Sequence, residues 1–220
     1  MEIIHECRKI SVLHIGKNNP NKNYSLNNII INHTTNQKDL GVIITNDLKW
    51  DLQTDKVTKK AMSMTFLIKR VFKNLSPEGI AKIYKSYIRP IIEYALPVWN
   101  PQYEKNSSRL EKVQGSATKI SNQMKKLSYQ ERLKTLNLTT HEERRTRGDL
   151  IEIYKLATNY YSCFDENEFL QFDTSSRRGH SLKLLKERTY KNPRSHFLHN
   201  RAFNQWNNLP QATIQSTSVN

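Results

Sequence analysis

The feature that most restricts the fold of this chain is a change of period near Asp51. Before it, apolar residues come in short runs broken by turn residues. Ile10-Ser11-Val12-Leu13-His14-Ile15 stops at Gly16, Asn18-Asn19-Pro20 marks a turn, Asn27-Asn28 separates two more runs, and Leu40-Gly41-Val42-Ile43-Ile44 closes the region. This predicts a small antiparallel β segment over residues 1–50. From Asp51 onward the spacing becomes helical. Val57, Ala61, Met64, Ile68 and Val71 recur every three or four residues, with Lys56, Lys59, Lys69, Arg70 and Lys73 on the opposite side. One face is built to pack and the other is cationic.

The same design repeats downstream. Ser76-Pro77 pairs a hydroxyl N-cap with proline at the first helical position. The helix it opens carries Ile80, Ile83, Tyr84, Tyr87, Ile88 and Ile91 on one stripe and Lys82, Lys85 and Arg89 opposite. Pro90 should kink or end that helix, because it lacks an N–H and crowds the carbonyl of Ser86. Leu96-Pro97-Val98-Trp99-Asn100-Pro101 then reads as an extended loop. A third helix is expected over 106–121, apolar at Leu110, Val113, Ala117 and Ile120. Capping boxes at Ser128/Glu131 and Thr140/Glu143 start helices near 129–136 and 141–160, and a last amphipathic helix covers Ser195 to Trp206. The fold class is therefore mainly α with a small N-terminal β segment: residues 1–50, a helical bundle over 51–121, and a basic helical region over 122–220.

Charge limits the partners. Thirty-five Lys and Arg against twenty Asp and Glu give a net charge of +15, and the mean hydropathy is −0.74. Such an excess repels itself unless a polyanion is near, and nucleic acid is the obvious one. The excess is clustered: residues 105–147 hold eleven basic residues against four acids, and 177–194 hold seven against one. The candidate phosphate contacts are Lys56, Lys59, Lys69, Arg70, Lys73, Lys82, Lys85, Arg89, Lys119, Lys125, Lys126, Arg144, Arg145, Arg147, Arg177, Arg178 and Lys183.

Catalytic patterns are missing. Nucleotidyl transfer needs carboxylates converging on two metals, but no two of the seven aspartates are adjacent, and Asp39, Asp47, Asp51 and Asp55 are spread over a turn-rich segment and suit helix capping. His196 and His199 share a spacing but lack a third ligand, and Cys7 and Cys163 are too far apart to form a motif. No metal site is expected. The cysteines read as reduced thiols, and with no apolar run of about 18 residues the chain is expected to be intracellular, with no membrane partner.

Several strings are recognisable together. Lys38-Asp39-Leu40-Gly41-Val42-Ile43-Ile44 is followed by Ser86-Tyr87-Ile88-Arg89-Pro90, Glu93-Tyr94-Ala95 and Pro97-Val98-Trp99. Then come Leu127-Ser128-Tyr129-Gln130-Glu131-Arg132-Leu133, Arg147-Gly148-Asp149-Leu150-Ile151-Glu152, Arg178-Gly179-His180-Ser181-Leu182-Lys183 and Asn204-Gln205-Trp206-Asn207-Asn208-Leu209-Pro210. In this order they resemble the carboxy-terminal third of the reverse transcriptases of jockey-like non-LTR retrotransposons (LINEs). The resemblance implies that residues 9–16 are the last palm segment and that Leu40-Gly41 is a primer-grip-like hairpin. It makes residues 51–121 the thumb that holds the primer–template duplex. It also places the endonuclease, the fingers and the catalytic aspartates upstream, so both ends are expected to be truncated and the chain alone inactive. Mg²⁺ would belong only to the complete polymerase. The partners it implies are RNA and DNA as a hybrid, together with the palm and fingers of the same polymerase. The alternative is a helical protein-interaction scaffold whose basic surface aids solubility.

Overall fold

The computed structural model describes residues 10–72, 74–161, 169–175, 179–190 and 192–216. The N-terminal part forms three separate two-stranded pairs. β1 (Val12–Leu13) runs parallel to β4 (His33–Thr34), which corrects the expectation of a purely antiparallel segment. β2 (Ser25–Leu26) and β3 (Ile29–Ile30) form a hairpin around Asn27 and Asn28, whose φ values of 50° and 63° are those of the turn that matches strand twist. β5 (Asn36–Asp39) pairs with β6 (Val42–Thr45) in the register Asp39↔Val42 to Asn36↔Thr45. Among the described strands only β6 reaches the core: Val42 is buried, and the Ile43 N–H donates to Gln53 Oε1 at 3.0 Å.

From Asp51 onward the described elements are mainly helices. α1 (Asp51–Val71) buries Val57, Ala61 and Ile68 together with Thr54, Thr58 and Thr65. The buried hydroxyls of Thr58 and Thr65 return to carbonyls one turn back, at 2.7 Å and 2.8 Å. Val71, expected inside, is 62% exposed.

α2 (Pro77–Ile83) starts where Ser76 caps it, the Gly79 N–H donating to the serine hydroxyl. It passes into a π-helical turn (Tyr84–Ile88) and resumes as α3 (Arg89–Glu93). Pro90 therefore does not end the helix. The Arg89 N–H bonds the Tyr84 carbonyl five residues back, so the turn ahead of the proline holds one residue more than an α turn. The extra residue resets the phase. Four-residue steps drift by roughly 40° in an α-helix, yet Ile80, Tyr84, Ile88 and Ile92 are all fully buried. Tyr87, expected in the stripe, is pushed out to 59% exposure, and Ile83 and Ile91 only flank the core.

The segment expected to be extended contains a helical turn, α4 (Leu96–Trp99), entered through Ala95 at φ 51°. Pro97 sits in its first turn, where no N–H is required. The turn sends Trp99 fully inside, its indole N–H donating to the Tyr94 carbonyl at 2.7 Å.

α5 (Glu104–Ala117), α6 (Asn122–Lys125) and α7 (Tyr129–Thr135) complete a first core whose buried contacts continue to Leu138. α8 (His141–Ala157) crosses to a second core made by Ile153, Ala157, Leu170, Leu184, Ala202, Trp206 and Ile214. Both expected capping boxes are formed. α9 (Asn192–Ser195), with no buried residue, leads into α10 (Leu198–Asn207), which with α11 (Gln211–Ile214) supplies part of the second core. That core also has a Phe172↔Leu184 bridge that the sequence pattern did not reveal.

A buried ion pair joins the two cores. Arg201 on α10 donates to both oxygens of Asp149 on α8 at 2.8 Å and 2.7 Å, and to the carbonyls of His196 and Pro97. Asn100 donates to Asp149 Oδ2 at 2.9 Å, which draws the end of α4 into the same junction.

Candidate nucleic-acid interface

The β5–β6 hairpin turns in two residues, Leu40 and Gly41, with φ values of +42° and +88°. Two positive φ values give the turn that keeps antiparallel strands twisted together. Glycine adopts this freely, whereas leucine does so at a cost. Leu40 nevertheless stands at the tip, 84% exposed. Two side chains from the bundle fix the tip: Tyr94 Oη donates to the Leu40 carbonyl at 2.8 Å, and Lys56 Nζ to the Gly41 carbonyl at 2.6 Å. A Cβ on residue 41 would only touch the Tyr94 ring, at 3.4 Å, so it is the φ of +88° that calls for glycine here. The result is an apolar tip in a fixed position beside the helices.

The basic residues divide into two groups. Four candidates are drawn inward. Lys56 holds the hairpin, and burial with nearby Lys38 and Lys60 keeps its pKa below the ordinary lysine value. Arg89 lies 5.2 Å over the Tyr84 ring and 3.7 Å from Glu93. Arg144 grips Glu93 through two bonds of 2.6 Å and 2.9 Å, and that hydrogen bonding raises its pKa. Arg145 donates to Asn100 Oδ1 at 2.7 Å, and burial pushes its pKa down. For the three arginines the inward placement comes from packing: the π turn sets Arg89 beside Tyr84 and Glu93, and α8 lays Arg144 and Arg145 against α3 and the end of α4. A helical wheel cannot show which polar face a neighbouring helix will cover.

The second group faces solvent: Arg70, Lys82, Lys85, Lys119, Lys125, Lys126 and Arg147 are exposed, and Lys69 is half-buried. Among the described residues none of these eight forms an ion pair, although Lys125 bonds the Asn122 side chain. Lys59 is exposed but pairs with Asp55 at 2.7 Å. Lys183 is half-buried and folds back over Gly179. Lys73, Arg177 and Arg178 lie outside the described residues. Lys82 and Lys85 line a groove of ≈ 420 Å³ with Pro77, Ala81 and Ser86, closed on its far side by Thr135, Leu136 and Asn137 at the end of α7. Such a groove can seat an extended anionic chain, with lysines for its phosphates and an apolar floor for its sugars. Tyr87, expelled by the π turn, is exposed one residue beyond Ser86.

The carboxylates have structural work. Asp51 pairs with Lys105 at 2.8 Å and accepts from Asn106 at 2.9 Å, and these two bonds, the lysine's above all, lower its pKa. Asp55 serves Lys59 and Arg109, and Asp47 accepts from the Thr45 hydroxyl. His196 and His199 are bonded to the carbonyls of Asn192 and Leu185. Among the described residues no group of three His, Cys, Asp or Glu side chains could hold a metal ion, and no helix is long and apolar enough to cross a membrane.

Sequence reasoning missed the Tyr94 and Lys56 anchors and the groove. Pro90 was the available signal: it leaves a carbonyl one turn earlier without its usual partner, a common origin of a π turn. No known protein family, curated protein or solved structure gives a significant match to the chain.

Proposed function

We propose that this chain is a non-catalytic carboxy-terminal segment of a retrotransposon reverse transcriptase, with a thumb that binds primer–template duplex through its phosphate backbone. The observation that carries the reading is the exposed Leu40-Gly41 tip, tied by Tyr94 and Lys56 to a helical bundle on which Lys82 and Lys85, beside the groove, form no ion pair among the described residues. A fixed apolar tip suits contact with a strand end, and unpaired lysines beside a groove suit phosphates. In this reading RNA–DNA hybrid is the ligand, the palm and fingers of the same polymerase are the protein partners, and Mg²⁺ belongs to that polymerase's carboxylates. Asp47, Asp51 and Asp55 are engaged elsewhere, so we assign this chain no catalytic step.

The test is hybrid binding against salt. With about five phosphates neutralised, the logarithm of affinity should fall against the logarithm of salt with a slope of roughly −4 to −5. Replacing Lys82 and Lys85 with Ala should flatten that slope by about two units without changing base preference. Arg144→Ala, which removes an internally paired cation, should leave the slope alone. A flat salt dependence, or a slope indifferent to Lys82 and Lys85, would refute the proposal.

A further inference from the structure

Toward its C-terminal end α1 keeps an apolar outer face. Its covered side carries Ala61, Thr65 and Ile68, with Met62 and Met64 half-buried against the core. Four further large apolar side chains face water: Phe66 is 56% exposed, Leu67 46% and Val71 62%, with Phe72 continuing the surface at 44%. Contiguous exposed apolar groups of this size mark contact surfaces more often than accidents.

Charge says what covers them. At about 100° per residue, Lys60, Ser63 and Arg70 fall within the same sector of the helix as Phe66, Leu67 and Val71, so cations interleave with apolar groups. Neither Lys60 nor Arg70 has an acidic partner among the described residues, and the two aspartates of α1 lie in its first two turns, already bonded to Lys105, Asn106, Lys59 and Arg109. A second copy of this chain would bring the same cations against this face, from a molecule of net charge +15. Phosphate backbone could meet Lys60 and Arg70 but would leave Leu67 and Val71 in water. A helix with leucine-like groups along one stripe and carboxylates beside them satisfies both at once, by ridge-and-groove packing with facing charges.

We infer that the outer face of α1 around Phe66, Leu67, Arg70 and Val71 docks an acidic amphipathic helix of a partner protein. This assignment does not depend on the nucleic-acid reading, and it gives Arg70 to the protein face rather than to phosphates.

The probe is a fluorescein-labelled synthetic helix of about 18 residues with a leucine stripe and glutamates elsewhere, titrated by anisotropy. The expected result is saturable binding, with a scrambled acidic peptide and a lysine version of the same stripe each at least about tenfold weaker. The double variant Phe66→Ser/Val71→Ser should weaken binding at least about tenfold while its circular dichroism and melting temperature stay near wild type, since both side chains are exposed. Arg70→Glu should narrow the gap between the acidic and the lysine peptide. Equal binding of the scrambled peptide, no binding of the acidic helix, or undiminished binding by the double variant would overturn the inference. A dimer in sedimentation that the double variant dissolves would give the face to a second copy. Loss of RNA–DNA hybrid affinity in that variant would give it to nucleic acid.

Discussion

The junction between the two cores allows a quantitative test. Arg201 and Asp149 are 13% and 7% exposed at their side chains, joined by two charge-assisted bonds, and Arg201 also serves the carbonyls of Pro97 and His196. Asp149→Ala leaves that guanidinium with two carbonyls, no counter-charge and little water. Stranding one member of a buried pair costs about 3–5 kcal/mol. For a chain of this size, at about 2–4 °C per kcal/mol, the melting temperature should fall by roughly 6–20 °C. Arg201→Ala should cost a similar amount, since it strands Asp149 and frees two carbonyls. The double variant Asp149→Leu/Arg201→Met removes both charges and keeps the volume. It should cost less than the sum of the single changes by about 2–3 kcal/mol, because each single loss includes the penalty on the partner left behind. Urea unfolding followed by far-ultraviolet circular dichroism gives the energies. Tryptophan fluorescence of variants in which either Trp206, or Trp50 and Trp99 together, is replaced by Phe reports on the first and second core separately, so a break in coordination should show as two transitions. Single losses that add within about 0.5 kcal/mol, or that each stay below about 1 kcal/mol, would refute a coupled buried pair.

Two further outcomes follow from the same packing. His141 is 1% exposed with no partner at Nε2 among the described residues, and burial, aided by Arg145, Arg144 and Arg89, lowers its pKa to about 3. The unfolded chain protonates near pH 6.5 and the folded one does not, so the neutral ring's contribution is complete above pH 6.5. It should fall by about 1.4 kcal/mol per unit toward pH 3. Stability of His141→Gln measured between pH 7 and pH 4 should fall less steeply than wild type, and parallel curves would sink the assignment. Ile88→Ala, at a fully buried position, should cost about 2–5 kcal/mol, whereas Tyr87→Ala next to it should stay within about 0.5 kcal/mol in the same urea assay. Comparable losses would mean that the π turn does not set the phase of this helix.

The chain's own residues determined the local elements. The strand-to-helix change at Asp51, the Ser76 cap, both capping boxes and the buried positions Leu110, Val113, Ala117 and Ile120 were legible because each depends on neighbours within one or two turns. The excess of cations was equally plain from composition. Which of those cations remained free was decided in three dimensions. Arg89, Arg144 and Arg145 carry the same side chain and the same local spacing as an exposed arginine such as Arg147. They differ only because α3, α4 and α8 meet and the low-polarity contact demands a partner for each charge. Tyr87 and Val71 matched a 3.6-residue stripe and still face water, one because a π turn shifted the phase, the other at the last residue of α1, where no neighbour covers it among the described residues. The hairpin tip shows both contributions. Leu40-Gly41 between apolar runs specifies a turn, but its fixed position rests on Lys56, fifteen residues away, and Tyr94, fifty-four away, and contacts at that separation exist only once the bundle has closed.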